Sequence, residues 1–219
     1  GGGVSYETFV RDKLAYRAPS GIVGSVDLPP SLFPHQRALT AWAIKRGRSA
    51  IFADTGLGKT SMELAWADAV TKHTRQPVLV LAPLAVAAQT AAEGKRIGIE
   101  VTVCRDGAHV RPGVNVTNYD RLHRFDPSIF GGVVLDESSV IKHHDARTFS
   151  ALTEAFRETS FRLPATATPA PNDWTEFGTH AEFLGICTRA EMLAEFFTHD
   201  GGDTSVWRLK GHARQQFWR

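Results

Sequence analysis

An octapeptide, Ala53-Asp54-Thr55-Gly56-Leu57-Gly58-Lys59-Thr60, constrains this chain more than any other part of it. It follows an apolar run, Ser49-Ala50-Ile51-Phe52, and precedes a helix-like stretch, Ser61-Met62-Glu63-Leu64-Ala65-Trp66-Ala67. A strand, a glycine-rich turn and a helix in that order make a phosphate cradle. Gly56 and Gly58 let backbone N–H groups turn inward on anionic oxygens, and the helix adds the positive end of its dipole. Lys59 brings a full positive charge, and Thr60 a hydroxyl suited to Mg²⁺. Thr55, Gly56, Leu57, Gly58, Lys59 and Thr60 are therefore the candidate phosphate-binding residues, and a nucleoside triphosphate with Mg²⁺ is the expected ligand. Ala53 stands where the strict pattern has glycine. The competing reading is a turn that only caps a helix, and the flanking strand and helix make such a chance match rare.

With 219 residues, 42% of them hydrophobic, the chain can build one sizeable α/β core. Lys and Arg number 25 against 23 Asp and Glu, a formal net charge of +2. Global charge does not argue for nucleic acid, so any such site must be a local patch. Cys104 and Cys187 lie far apart without metal-type spacing and read as small apolar residues in a reducing compartment. No apolar run approaches the ~20 residues that cross a bilayer, and nothing resembles a signal peptide. No membrane partner and a cytoplasmic location are the expectations. His143 and His144 are adjacent, point apart on most backbones and have no Cys or His at ligand spacing, so no metal is expected there.

The remaining pattern alternates apolar strand-like runs with helical stretches. A helix is expected over residues 34–46, with Leu39, Ala43 and Ile44 on one face. Strands are expected over 49–52, 77–82, 100–104, 114–117, 132–135 and 161–165, and helices over 6–15, 85–95, 145–158, 173–184 and 189–197. Strands spaced by helices imply a mostly parallel sheet covered on both faces. The run at 77–82 is fully apolar, as a strand buried on both faces should be.

Asp136-Glu137 closes the strand at 132–135. Ligands of parallel sheets sit at the carboxyl ends of strands, so this acidic pair can meet the phosphate cradle in space. Asp136 would hold Mg²⁺, and Glu137 would orient and polarise an attacking water. A pair that merely caps the next helix is the alternative. A second carboxylate beside the metal residue favours hydrolysis.

Four further segments complete the pattern: Phe33-Pro34-His35-Gln36-Arg37; Val78 to Leu84; Val116 to Leu122; and Leu163-Pro164-Ala165-Thr166-Ala167-Thr168-Pro169. In this order, around the phosphate loop and Asp136-Glu137, the chain resembles the first RecA-like lobe of superfamily-two helicases. Within that group it is most similar to the Swi/Snf-type DNA translocases, including helicases found in bacteriophages. The resemblance covers roughly residues 32–184. It implies a RecA-like P-loop fold, a three-layer α/β sandwich with a mostly parallel central sheet, and a DNA-dependent ATPase that uses Mg·ATP to move on nucleic acid.

Laid on matching positions, the resemblance implies that Gln36 reads the adenine edge, its amide offering both donor and acceptor. A solvent-facing glutamine at a helix start is the alternative. Arg37 or Phe33 is a weaker candidate for stacking on the base. Lys59, Asp136 and Glu137 would be catalytic, with Thr60 and Asp136 on the metal. Pro83, Leu84, Asn118 and Tyr119 match segments that touch the nucleic-acid backbone, where ordinary strand-to-helix turns compete as an explanation. Thr166, Ala167 and Thr168 match the segment that couples nucleotide state to lobe movement. Ser138-Ser139 depart from the family's usual residues after Asp-Glu, and Lys142 stands where related translocases carry a basic residue near DNA.

The expected organisation is an N-terminal extension over 1–31, the ATP-binding lobe over 32–186, and a linker segment over 187–219 toward a second lobe. The basic, aromatic piece at 204–219 is read as packing on the lobe in preference to binding nucleic acid. Motors of this group have a second lobe that supplies arginine fingers, and the stretch after Thr168 is too short for one. ATP binding with slow turnover is therefore expected of this chain alone. Duplex DNA is the favoured partner, RNA an open alternative. Readings from other classes remain: a non-enzymatic nucleic-acid-binding module with a vestigial nucleotide site, a clamp-loader-like ATPase, or the motor lobe of a restriction system.

Overall fold

Valine and leucine alternate along residues 78–81, and this alternation divides the molecule into layers. Val78 and Val80 pack into one hydrophobic cluster, and Leu79 and Leu81 into another on the opposite face of the sheet. The computed structural model describes residues 21–48, 51–52, 58–136, 151–152 and 154–166. Its strands are β1 (Ile51–Phe52), β2 (Val78–Ala82), β3 (Val101–Val103), β4 (Val114–Asn118), β5 (Gly132–Asp136) and β6 (Phe161–Thr166). They form one six-stranded sheet in the order β1-β6-β5-β2-β4-β3, and every pairing is parallel. The central strands β2 and β5 are buried along their whole length, as their continuous apolar runs require.

Three helices cover the valine face: α1 (Pro34–Arg46), α2 (Lys59–Thr74) and α3 (Ala87–Ile97). Helix α1 is set by Pro34 at its first position, and it presents Leu39, Ala43 and Ile44 to the core. Ile22 joins the same cluster, and Val26 and Leu28 pack against it. Helix α2 is the central helix, with Met62, Leu64, Trp66, Ala67 and Val70 fully buried. The leucine face is covered more irregularly. Three 3₁₀ turns, Gly107–His109, Tyr119–Arg124 and Pro127–Ile129, and a helical stretch through Leu152 bring Leu122, Phe125, Phe130, Leu152 and Phe156 onto Leu79, Leu81, Val133 and Leu135.

Beyond one-residue shifts at strand ends, two helical elements differ from those expected. Helix α3 begins at Ala87 instead of residue 85 because Pro83 starts a turn, closed by the Val86 N–H on the Pro83 carbonyl at 2.9 Å. It continues to Ile97, where Gly98 takes a left-handed conformation (φ 82°) and ends it. The helix expected over 145–158 is described only in part, and residues 156–158 are already a turn. Arg162, buried in β6, donates to the carbonyls of Thr159 and Arg157 and so holds this turn against the sheet. The helices expected over 6–15, 173–184 and 189–197 lie outside the described residues.

Asn115 is a fully buried polar residue on β4. Its Oδ1 accepts from the Arg111 N–H at 2.9 Å, and its Nδ2 donates to the carbonyls of Arg111 (2.8 Å) and Gly113 (3.1 Å). The side chain thereby shapes the β3–β4 connection. Asn115→Ala is expected to cost about 1–3 kcal/mol through the backbone groups it strands. Urea unfolding would show this as a lower midpoint with an unchanged slope.

Candidate nucleotide and nucleic-acid site

Because all strands run the same way, the ends of β2, β4, β5 and β6 open on the edge from which α2 starts. Gly58 precedes α2 in a left-handed conformation (φ 71°, ψ 45°), and Lys59 is the first helical residue. Lys59 is only 7% exposed, although an ammonium normally seeks water. Its Nζ lies 3.6 Å from Oδ1 of Asp136, the last residue of β5, itself 2% exposed. Lys59, Thr60 and Asp136 share a cleft of about 430 Å³. Its far wall is one face of α3, including Gln89, Thr90 and Glu93.

Sequence reasoning passed over a third ionisable group at this place. Glu63 has no exposed surface, and it lies one helical turn beyond Lys59 on α2. Burial first, and then the neighbouring Asp136 carboxylate, push its carboxyl well above the usual range, while Lys59 pulls the other way. The signal available in the sequence was the four-residue spacing from Lys59, which places both side chains on one helix face. Tyr119 also converges here. Its hydroxyl donates to the Asp136 carbonyl at 2.8 Å. Burial, with the carboxyls of Asp136 and Glu63, raises the phenol well above its ordinary value.

Gln36 is buried, so it is not the solvent-facing glutamine of the alternative reading. Its Oε1 accepts from the Phe33 N–H at 2.9 Å, which turns the amide back over the start of α1. The amide nitrogen then lies against Gly58, where an added Cβ would collide with it. The structure thus sets the Gln36 amide against Gly58, immediately before α2. Arg37 donates to the Pro29 carbonyl at 2.8 Å, whereas the Phe33 ring is 64% exposed beside Gln36.

The segments expected to meet nucleic acid are separated in exposure. Leu84 is 71% exposed in the turn after β2, Pro83 is half-buried, and Asn118 is buried at the end of β4. Leu84 and Asn118 line a second groove, of about 510 Å³, together with Arg105, His109, Arg111 and Arg121. The groove is cationic, and none of its basic residues was singled out in the sequence. The clue was a cluster of arginines around β3 and β4 in a chain of nearly balanced charge. The Arg105 N–H donates to Nδ1 of His109 at 3.1 Å, which ties the loop into the groove wall. Cys104, a free and buried thiol, lies at the groove floor, and burial pushes it up to about 11.

Thr55, Gly56, Leu57, Glu137, Ala167 and Thr168 lie outside the described residues, as do Ser138, Ser139, Lys142, His143, His144 and residues 204–219. Thr166 ends β6 opposite Phe52, between the strand that leads to the phosphate loop and the strand that carries Asp136. Among the described residues no group of three or more His, Cys, Asp or Glu could hold a metal ion. A hydrated Mg²⁺ shared with phosphates needs only one or two protein ligands, and Thr60 and Asp136 in one cleft suit that mode. No helix among the described residues is long and apolar enough to cross a membrane.

No family profile and no curated protein matches the chain. Solved structures do. The SWI2/SNF2 ATPase core of Sulfolobus solfataricus in complex with dsDNA matches 86% of this chain at 20% identity and a TM-score of 0.64. The UvsW helicase from bacteriophage T4 matches 87% at 12% identity and 0.56, and the Hef helicase domain of Pyrococcus furiosus matches 74% at 19% identity and 0.56. The chain spans 44% of the Sulfolobus chain, 66% of the T4 chain and 38% of the Pyrococcus chain. The likeness establishes the fold: a RecA-like, three-layer α/β sandwich of the type found in helicase cores.

A methyl on Gly58 would meet Gln36 and force a side-chain-bearing residue into left-handed geometry. Gly58→Ala is expected to lose about 1–2 kcal/mol of stability from the backbone alone. In a double-mutant cycle, Gln36→Ala should recover the steric part of the loss. Burial raises the Cys104 thiol from its ordinary value of 9.0 to about 11 in the folded chain. The folded state therefore holds a proton that the unfolded state has lost between those values. This contribution is constant below pH 9 and falls away as pH rises to 11. In a Cys187→Ser chain, Cys104 should stay unreactive to a disulfide reagent at pH 8 until denaturant is added.

Proposed function

We propose that this chain is the ATP-binding lobe of a DNA-dependent ATPase that uses Mg·ATP to track along nucleic acid, a helicase or translocase. The observation that carries the reading is the buried Lys59 held against Asp136 at the head of α2, with the Gln36 amide resting on Gly58. An ammonium and a carboxylate sequestered together at a left-handed glycine suit a triphosphate and its metal. The Swi/Snf-type and phage-type assignments remain part of the proposal, supported by the likeness to the Sulfolobus SWI2/SNF2 core and the T4 helicase. A cytoplasmic location belongs to it too.

In this reading Lys59 leaves Asp136 for the β- and γ-phosphate oxygens. The backbone amides of 55–59 surround the phosphates, and Gln36 receives the adenine edge. Thr60 and Asp136 would hold Mg²⁺, whose chemistry is to neutralise charge on those phosphates. Glu137 takes a proton from the attacking water as its oxygen bonds to the γ-phosphorus and the bridging P–O bond breaks, leaving ADP and phosphate. The 166–168 segment, which begins where β6 ends at Thr166, would pass the change to a second RecA-like lobe. An arginine finger from such a lobe is worth about 10³–10⁵ in turnover, so slow hydrolysis by this chain alone is part of the proposal.

Duplex DNA is the proposed partner of the cationic groove. Leu84 and the end of β4 would meet the backbone through N–H donors, and Arg105, Arg111 and Arg121 would add charge. Tyr119 contributes by shaping the end of β4, since its hydroxyl is engaged by Asp136.

Lys59→Ala should abolish ATP binding, and Glu137→Gln should keep binding while ending hydrolysis. Loss of binding in the Glu137→Gln chain would remove that residue from the water-activating role. Arg111→Glu with Arg121→Glu should weaken duplex binding. The slope of log affinity against log salt should become shallower by about 0.9 for each phosphate no longer neutralised. DNA binding indifferent to ATP, without hydrolysis even when a second lobe is supplied, would favour the non-enzymatic module instead.

A further inference from the structure

Glu63 is a buried carboxyl that no step above employs. It stands four residues beyond Lys59, so the two side chains share a helix face, and that face looks onto Asp136. It has no exposed surface, and neither carboxyl oxygen finds a hydrogen-bond partner of regular geometry among the described residues. Its neighbours along α2 are Met62, Leu64, Ala65, Trp66 and Ala67, all buried. A methionine would suit that setting and spare the cost of desolvating a carboxyl. A carboxyl kept fully buried beside another carboxylate is a position held against stability, and such positions gather at functional sites.

We infer that Glu63 is a positioning residue of the nucleotide seat, whose carboxyl packs on Asp136 and holds that carboxylate where it takes up the divalent cation. The inference rests on the nucleotide reading given above. Asp136 sits at a strand end, and its partner Lys59 moves to the phosphates when the seat is filled. A neighbour that stays in place is then needed to keep the carboxylate aimed. Glu63 is placed for this by α2, the longest and most buried helix among those described. Carboxyl groups that orient a metal-binding residue act through shape and hydrogen bonding, so an amide of the same size should serve, and an apolar side chain should not.

The test is equilibrium titration of the 219-residue chain with a fluorescent ATP analogue, in Mg²⁺ and again in EDTA, alongside thermal unfolding. Glu63→Met should unfold at the same or a higher temperature, yet lose about tenfold or more in affinity in Mg²⁺ and under about threefold in EDTA. Glu63→Gln should stay within about threefold of the parent in both. Full affinity of Glu63→Met in Mg²⁺ would overturn the inference. So would an equal loss in Mg²⁺ and EDTA, or a loss accompanied by a lower unfolding temperature, because each marks a packing role. Lys59→Ala separates the two readings. If the parent and Lys59→Ala bind alike, the nucleotide seat itself is refuted and this inference falls with it. If they differ while Glu63→Met matches the parent, only the inference fails.

Discussion

A buried ammonium 3.6 Å from a buried carboxylate sets the terms for the residues around it. At an effective dielectric near 20, such a pair attracts by about 5 kcal/mol before desolvation, and stripping water from both ends cancels much of that. The pair therefore persists because the scaffold holds it. Helix α2 starts at Lys59, β5 ends at Asp136, and a sheet whose strands all run one way brings those two termini together. Glu63, Tyr119 and Gln36 are then packed by proximity to that pair, and each has its side chain aimed at it or at Gly58.

Helix α3 organises the second half of the arrangement. Its start, Ala87 and Ala88, together with Leu84 in the turn before it, faces the cationic groove. Gln89, Thr90 and Glu93 face the cleft beside Lys59 and Asp136. Ser61 on α2 donates to Glu93, and Arg96 grips the same carboxylate, so the two helices are tied by a polar link beside the cleft. One helix thus forms a wall of both sites.

Legibility in the sequence followed the range of the interaction that each feature depends on. The helix at 34–46 and the strand at 78–82 stood out because period 3.6 and continuous apolar runs are local signals. The start of α2 after a left-handed Gly58 was legible because glycine geometry and a following helix are encoded in neighbouring residues. Asp136 could be placed by the general rule that parallel sheets bind ligands at their strand ends. Glu63 escaped notice because, in one dimension, it is a good helix former inside an apolar helix. Its meaning comes from β5, far away in sequence. The groove arginines escaped for the same reason: Arg105, Arg111 and Arg121 belong to two connections that meet only once β3 and β4 pair.

The amino-acid sequence by itself determined the alternation of strands and helices and the helix that starts at Lys59 behind a glycine, since each depends on neighbours a few positions apart. Only the tertiary structure decided that Gln36 is buried against Gly58, that Tyr119 is engaged by Asp136, that Glu63 is buried beside the charged pair, and that three arginines share one groove. Those facts depend on the order β1-β6-β5-β2-β4-β3. Strand order is settled by burying two faces of the sheet at once, a constraint that acts on the whole chain and leaves no mark within any one segment.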